Sequence, residues 1–492
     1  TTGGNNIAMG TEALVGNTIG GNNIAVGACS LYSNTEGNTN IGIGRVTLLL
    51  NTTGSNNVAI GNQSMYLNTI GCENVAVGAG ALFYNTTGIK NMAVGANSLA
   101  KNTTGISNTA MGYQALRENT TANSNVAVGY NTMIFNVTGT SNTAIGNNAL
   151  FTNTTGGYNV AIGSGSLLTQ NSVEGSVAIG SSALRFNTSG ACNTAIGFES
   201  LCANTTGDSS TAMGYQALKA NTTGVCNTAV GTAALYNNTT GFDNTAVGTW
   251  SLISNTTGRD NSSLGRCSLA TNSTGCLNVA IGNYALRQNI IGNDNTAVGY
   301  TSLENSIGQG NTAIGSCSLK ANTTGISGVA IGLNALLTNT TGACNTAVGV
   351  STLFNNTTGE RNTAMGMYAL YNSTTADCNI AIGITALYNN TTGYSNTAVG
   401  ASVMNSNTIG RENVAVGRCA LATSTTGCFN VAVGTYALRR NTTANCNVAV
   451  GLFALSENTI GCENVAVGAC SLYLNTEGKC NTAIGLESLK DN

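Results

Sequence analysis

Apolar and polar positions recur along this chain with a period of 17 residues. The stretch from Gly214 to Val230 reads G-Y-Q-A-L-K-A-N-T-T-G-V-C-N-T-A-V, and its residues name the columns of the repeat. The Gly214 column runs from Gly10 to Gly299 and resumes from Gly315 to Gly485, with one step of 16 residues where it resumes. That makes 29 units over residues 1–492, a single continuous array with no shift in composition to mark a domain boundary. Two units are irregular. The unit 299–314 lacks one residue, expected between Leu303 and Asn305, and the unit 163–179 carries Val173 where the second glycine belongs.

The columns predict local structure. Asn227-Thr228-Ala229-Val230 alternates with the period of a short strand, and Gly231 ends it. The Val230 column is apolar in all 29 units. The Ala229 column departs from Ala only at Gly42 and Ser263, and the Leu218 column departs from Leu only at Met65, Met133 and Met404. Ala217-Leu218-Lys219-Ala220 fits either a second strand or one helical turn, since these residues favour helix. Asn221-Thr222-Thr223-Gly224 is turn chemistry, with positive φ expected at the glycine; Ala122, Ala376 and Ala444 stand at that position, so either positive φ is not obligatory there or those coils accept about 1 kcal/mol of strain. A single coil of this kind cannot bury its own apolar face, whereas stacked coils form parallel sheets over a continuous core. The fold class expected is therefore all-β, a parallel β-solenoid or β-roll of 29 coils. At ~4.8 Å per coil it spans roughly 140 Å. Its core is expected from Val230, Val247, Leu218, Leu235, Ala229 and Ala246.

The Asn227 column holds Asn in all but Ser176, Ser210 and Gly328. Stacked amides can bond from coil to coil, which predicts a ladder through Asn227, Asn244, Asn261 and Asn278. Both alternating faces of the strand are restricted, one to Val, Ile or Thr and the other to Ala. A face open to water would drift through Lys, Glu and Ser. The alanine face therefore packs against the opposite wall of a narrow coil or against an identical chain.

Composition then removes whole classes of function. Only 7% of residues are charged and the formal net charge is −2, which offers nothing to nucleic acid or an anionic membrane. No apolar run approaches the ~18 residues of a membrane span. The chain has no histidine, which rules out Ser-His and Cys-His pairs, and its carboxylates sit singly in variable positions. No phosphate-loop motif occurs. The chain reads as a non-enzyme without a cofactor.

Sixteen cysteines fall mainly in three columns. Same-column pairs two coils apart are ~9.6 Å from each other, too far for a disulfide. Cys267–Cys276 and Cys419–Cys428 are the candidate bridges within a coil. No C-x-x-C spacing points to a metal. N-x-[ST] sequons at Asn102, Asn153, Asn221, Asn255 and Asn339 are candidate glycosylation sites, set against a turn-stabilising role. Regular Thr columns also admit an ice- or surface-binding solenoid. Variable exposed residues such as Tyr113, Tyr130, Tyr215, Arg259 and Arg411 are where recognition of a host surface or glycan would lie.

The N-T-A-V-G and N-V-A-I-G strands resemble the head repeats of trimeric autotransporter adhesins, which implies a left-handed parallel β-roll within a trimer. The whole unit N-T-A-V-G-x-x-A-L-x-x-N-T-T-G-x-x-N is also similar to tandem repeats of phage and giant-virus tail-fibre-like proteins. The expectation is an extracellular, cell-surface or virion protein: a fibre or adhesin shaft that associates with itself, or a tail-fibre segment carrying a receptor-binding tip. The two ends, L-K-D-N and T-T-G, join into an uninterrupted repeat, which predicts a window of a longer array or end-to-end stacking.

Overall fold

A computed structural model describes residues 2–492. They form two compact units, one ending at Asn244 and the other running Thr245–Asn492. Both are parallel β-solenoids of the same repeat, so the division coincides with no change in sequence. Each coil contributes one three-residue strand. The first unit has strands from Ile7–Met9 to Thr228–Val230, and the second from Thr245–Val247 to Thr482–Ile484. Within a unit each strand pairs in register with the next, as Thr211↔Thr228, Ala212↔Ala229 and Met213↔Val230 do.

The segment after each strand is neither a second strand nor a helical turn. It is a run of turns whose amides bond to neighbouring coils: Gln216 N–H donates to Phe198 O at 2.9 Å, and Leu218 N–H to Ala234 O at 2.9 Å. Alternating bonds up and down the stack require alternating backbone directions. The coil achieves this with left-handed residues that are not glycine, namely Gln216 (φ 55°), Leu218 (φ 50°) and Cys226 (φ 56°). The Leu218 column is left-handed in every coil. An L-residue in this region costs ~1–2 kcal/mol. Burying a whole leucine side chain gives ~1.5–3 kcal/mol, which offsets it.

Positive φ was expected at the glycine of N-T-T-G, and the structure corrects this. The glycine that needs it is Gly214, at φ +140°, a conformation closed to residues with a Cβ. Gly224 is small for a different reason: a Cβ there would press on Gly241 O of the next coil and on Asn221 Oδ1. That crowding is negotiable, because Ala122, Ala376 and Ala444 fit at the same place, each 1% exposed.

The core also differs from expectation in part. Ala229, Ala246, Leu218 and Leu235 are fully buried, whereas Val230 and Val247 are half-buried on the outer face of the strand. The coil is narrow, so its interior admits only alanine from the strand opposite the leucine. At Gly42 the space of the missing Cβ is taken by hydroxyls: a Cβ there would meet Ser30 Oγ at 2.6 Å and Thr47 Oγ1 at 3.0 Å, with Leu31 Cγ at 3.5 Å. Where Ser263 replaces that alanine, its hydroxyl is absorbed by bonds with Ser251 and Ser268.

The two irregular coils change one corner. In the coil 163–179, Gln170 replaces the asparagine of the Asn221 column and its longer side chain caps Val173 O at 2.8 Å. In the coil 299–314 the missing residue lies later than the sequence suggested. Ser306, not Asn305, takes the asparagine place, since Ser306 N–H donates to Leu303 O at 3.2 Å and Ser306 Oγ accepts from Asn322 Nδ2 at 3.0 Å. The deletion falls in the turn Ser306-Ile307-Gly308. The strand register survives it, with Thr296↔Thr312 paired.

Candidate interaction faces and the asparagine ladders

Two buried columns of asparagine run inside each unit. In the first, the Asn244 N–H donates to Asn227 Oδ1 at 3.1 Å while Asn227 Nδ2 donates to Gly241 O at 2.8 Å. The same pattern joins Asn278 to Asn261 Oδ1 at 3.1 Å and to Gly292 O at 2.8 Å. Each amide thus serves a backbone N–H and a backbone C=O that have no strand partner, which is what makes a polar side chain tolerable in the interior.

The second ladder is the Asn221 column. Asn221 Nδ2 donates to Asn204 Oδ1 at 2.8 Å and to Gly224 O of its own turn at 2.9 Å. The sequence shows this column as turn chemistry and as sequons, and hides that it points inward. Asn102, Asn153, Asn221 and Asn255 are 0% exposed and Asn339 1%. In each of the five, Nδ2, the atom a glycan would need, donates to the carbonyl three residues on. Glycosylation at these five asparagines is therefore incompatible with the stacked coil.

Three of the four breaks in this second ladder share a signature. The Oδ1 atoms of Asn153, Asn356 and Asn407 are buried without a hydrogen-bond partner. One coil further on stand Gln170, Ser373 and Ser424. None of these sends an amide N–H back to the waiting oxygen. The signal was available in the sequence as three departures from one column, but only a known inward orientation gives them meaning.

The outward residues of the strands make an uncharged, largely apolar face. Ile145, Met213, Ile281, Ile314 and Val416 of the Val230 column remain 37–41% exposed. Met92, Ile380 and Val414 of the Thr228 column are 39–41% exposed. Neither column contains a charged residue in any coil.

The residues proposed for recognition do not converge. Tyr113 and Tyr130 stack on each other with centroids 5.4 Å apart, and Tyr215 stacks on Phe198 at 5.6 Å. These follow the strand, whereas Arg411, stacked on Tyr394 at 5.5 Å, and Arg259, beside Asp260 at 4.0 Å, precede it. Side chains in one column of adjacent coils pair with each other instead of forming a pocket. Elsewhere, bonds from Lys219 and Gln216 hold Glu199 below the usual carboxylate range.

No protein-family model matches the chain, and no curated protein matches it. The remaining chemistry is sparse among the described residues. No group of three His, Cys, Asp or Glu is placed to hold a metal. An open groove of about 600 Å³ is lined by Thr338, Asn355, Thr357, Asn372, Thr374 and Asn389. The cysteines are free thiols, so neither Cys267–Cys276 nor Cys419–Cys428 is bridged. Those partners stand nine residues apart in a seventeen-residue circuit. One column lies before the strand and the other after it, which puts half a coil between the sulfurs.

Proposed function

We propose that the protein is a structural shaft, an extracellular fibre or adhesin element that works by lateral association with copies of itself. The observation that carries this reading is the uncharged Val/Ile/Thr/Met face of the strands. Exposed columns elsewhere on the coil drift through Lys, Glu, Arg and Tyr, while this face stays uncharged, with the Val230 column apolar throughout and the Thr228 column either Val, Ile and Met or Thr and Ser. Unpartnered apolar surface of such extent marks an interaction site. Three residues of strand give ~10 Å of width and each coil adds ~4.8 Å, so fourteen coils present roughly 670 Å² in projection. The face of one unit thus comes close to the ~800 Å² per partner of a stable interface. A second copy is the fitting occupant, because only a partner with the same axial repeat can seat its ridges in this face coil after coil. Parallel hydrogen bonding along the stack and two amide ladders supply stiffness.

The test is the molar mass in solution by sedimentation equilibrium, on the natural chain and on Ile196→Lys/Met213→Lys/Val230→Lys. The reading expects a multiple of 49.5 kDa for the natural chain. The variant should move toward a single chain with its β-signature unchanged. A natural chain that stays at one copy at high concentration contradicts it.

A further inference from the structure

We propose that Cys428, Cys446, Cys462 and Cys480 form an oxidation site in which adjacent coils become stapled by two disulfides, Cys428–Cys446 and Cys462–Cys480. These four residues occupy four successive coils of the second unit and alternate between the Val225 and Cys226 columns. No other stretch of the chain places a cysteine in these two columns in successive coils. Each pair is already joined through the backbone: Cys446 N–H donates to Cys428 O at 3.1 Å, and Cys480 N–H to Cys462 O at 3.1 Å.

That diagonal relation is what a disulfide needs. Coils lie ~4.8 Å apart and successive Cα atoms ~3.8 Å. A diagonal pair therefore has its Cα atoms about 6 Å apart, inside the ~4.4–6.8 Å that a disulfide spans. Two cysteines in one column two coils apart are outside it. Access is open, since Cys446 and Cys480 are exposed and Cys428 and Cys462 are half-buried. The sulfurs are held by weak surface bonds: Cys428 Sγ donates to Thr426 O at 3.3 Å, Cys462 Sγ donates to Ile460 O at 3.5 Å and accepts from Asn445 N–H of the preceding coil at 3.5 Å, and Cys480 Sγ donates to Glu463 Oε2 at 3.4 Å. Rotation toward each other breaks nothing in the core.

The oxidant is a low-molecular-weight disulfide. A cysteine thiolate attacks one of its sulfurs, expels one small thiol and becomes a mixed disulfide. The thiolate of the partner then attacks the protein sulfur and expels the second small thiol. Per pair, two protein S–H groups are oxidised to one S–S bond and one external disulfide is reduced to two thiols.

The experiment treats the full chain with oxidised glutathione, alkylates what remains and digests with trypsin and a glutamate-specific protease. Cuts after Arg440, Glu457, Glu463 and Lys479 put the four thiols on separate peptides. The expected result is two linked peptide pairs, each lighter by two hydrogens and with no glutathione on any of the four cysteines; Cys419 shares the Cys428 peptide and its own adduct is assigned by fragmentation. Cys192, Cys226, Cys344 and Cys378 are exposed but have no cysteine in these columns of the adjacent coils, and they should keep the adduct. Cys480→Ser should trap glutathione on Cys462. Stable adducts on all four cysteines of the natural chain, links between chains, or a Cys446–Cys462 link would each overturn the assignment.

Discussion

The coil 163–179 of the first unit and the short coil 299–314 of the second depart from the repeat at the same corner and recover differently. The first puts Gln170 in the asparagine ladder and leaves Asn153 Oδ1 buried with no partner. The second puts Ser306 there, and the freed oxygen, Asn289 Oδ1, accepts instead from Gly292 N–H at 3.0 Å. Both keep the leucine and the strand, although the first coil also carries Ser176 in the other ladder, its hydroxyl buried without a partner. Leu167 and Leu303 are fully buried at φ 47° and 49°, and the strands Val177–Ile179 and Thr312–Ile314 hold their register. The corner is therefore adjustable, while the glycine after the strand, the left-handed leucine and the inward alanine define the coil.

That division can be broken most severely at the glycines. Gly214→Ala forces a Cβ into φ +140° and against the next coil. The backbone alone costs roughly 1–3 kcal/mol. Gly224→Ala, in the adjustable corner, should cost well under that, as Ala122 implies. Hydrogen-exchange protection of the flanking coils should collapse for the first substitution and hold for the second. Next come Leu167→Ala and Leu303→Ala, each expected to cost about 2–5 kcal/mol in denaturant titrations. The two should be alike if the irregular corners are energetically separate from the core.

The comparison sharpens with repairs. Gln170→Asn combined with Val173→Gly returns a donor to Asn153 Oδ1, and Ser373→Asn does the same for Asn356. Each should stabilise by about 1–3 kcal/mol, the cost of an orphaned buried polar atom. Ser306→Asn should gain little, because Asn289 already has a partner. Equal gains at Ser306 and Ser373 would show that the missing bond is not the cause.

Much of this was legible in the sequence, and what was not has physical reasons. Period, strand position, parallel stacking and the buried columns of Leu218 and Ala229 follow from internal repetition. The direction of Val230 does not, because with almost no charge both faces of the strand look apolar. Left-handed leucines run against local propensity and leave no trace in composition. Ser306 was displaced by one place because an asparagine stands next to it. The inward turn of the Asn221 column was masked by its sequon, a surface motif borne here by an interior residue.

The most direct test of lateral association is mass per length of unstained particles by electron scattering, since it separates side-by-side packing from end-to-end growth. The account predicts at least twice the mass per length of a single stack of coils, which carries 17 residues per coil of ~4.8 Å. A value of one chain, whatever the particle length, would contradict it and leave the apolar face without a partner.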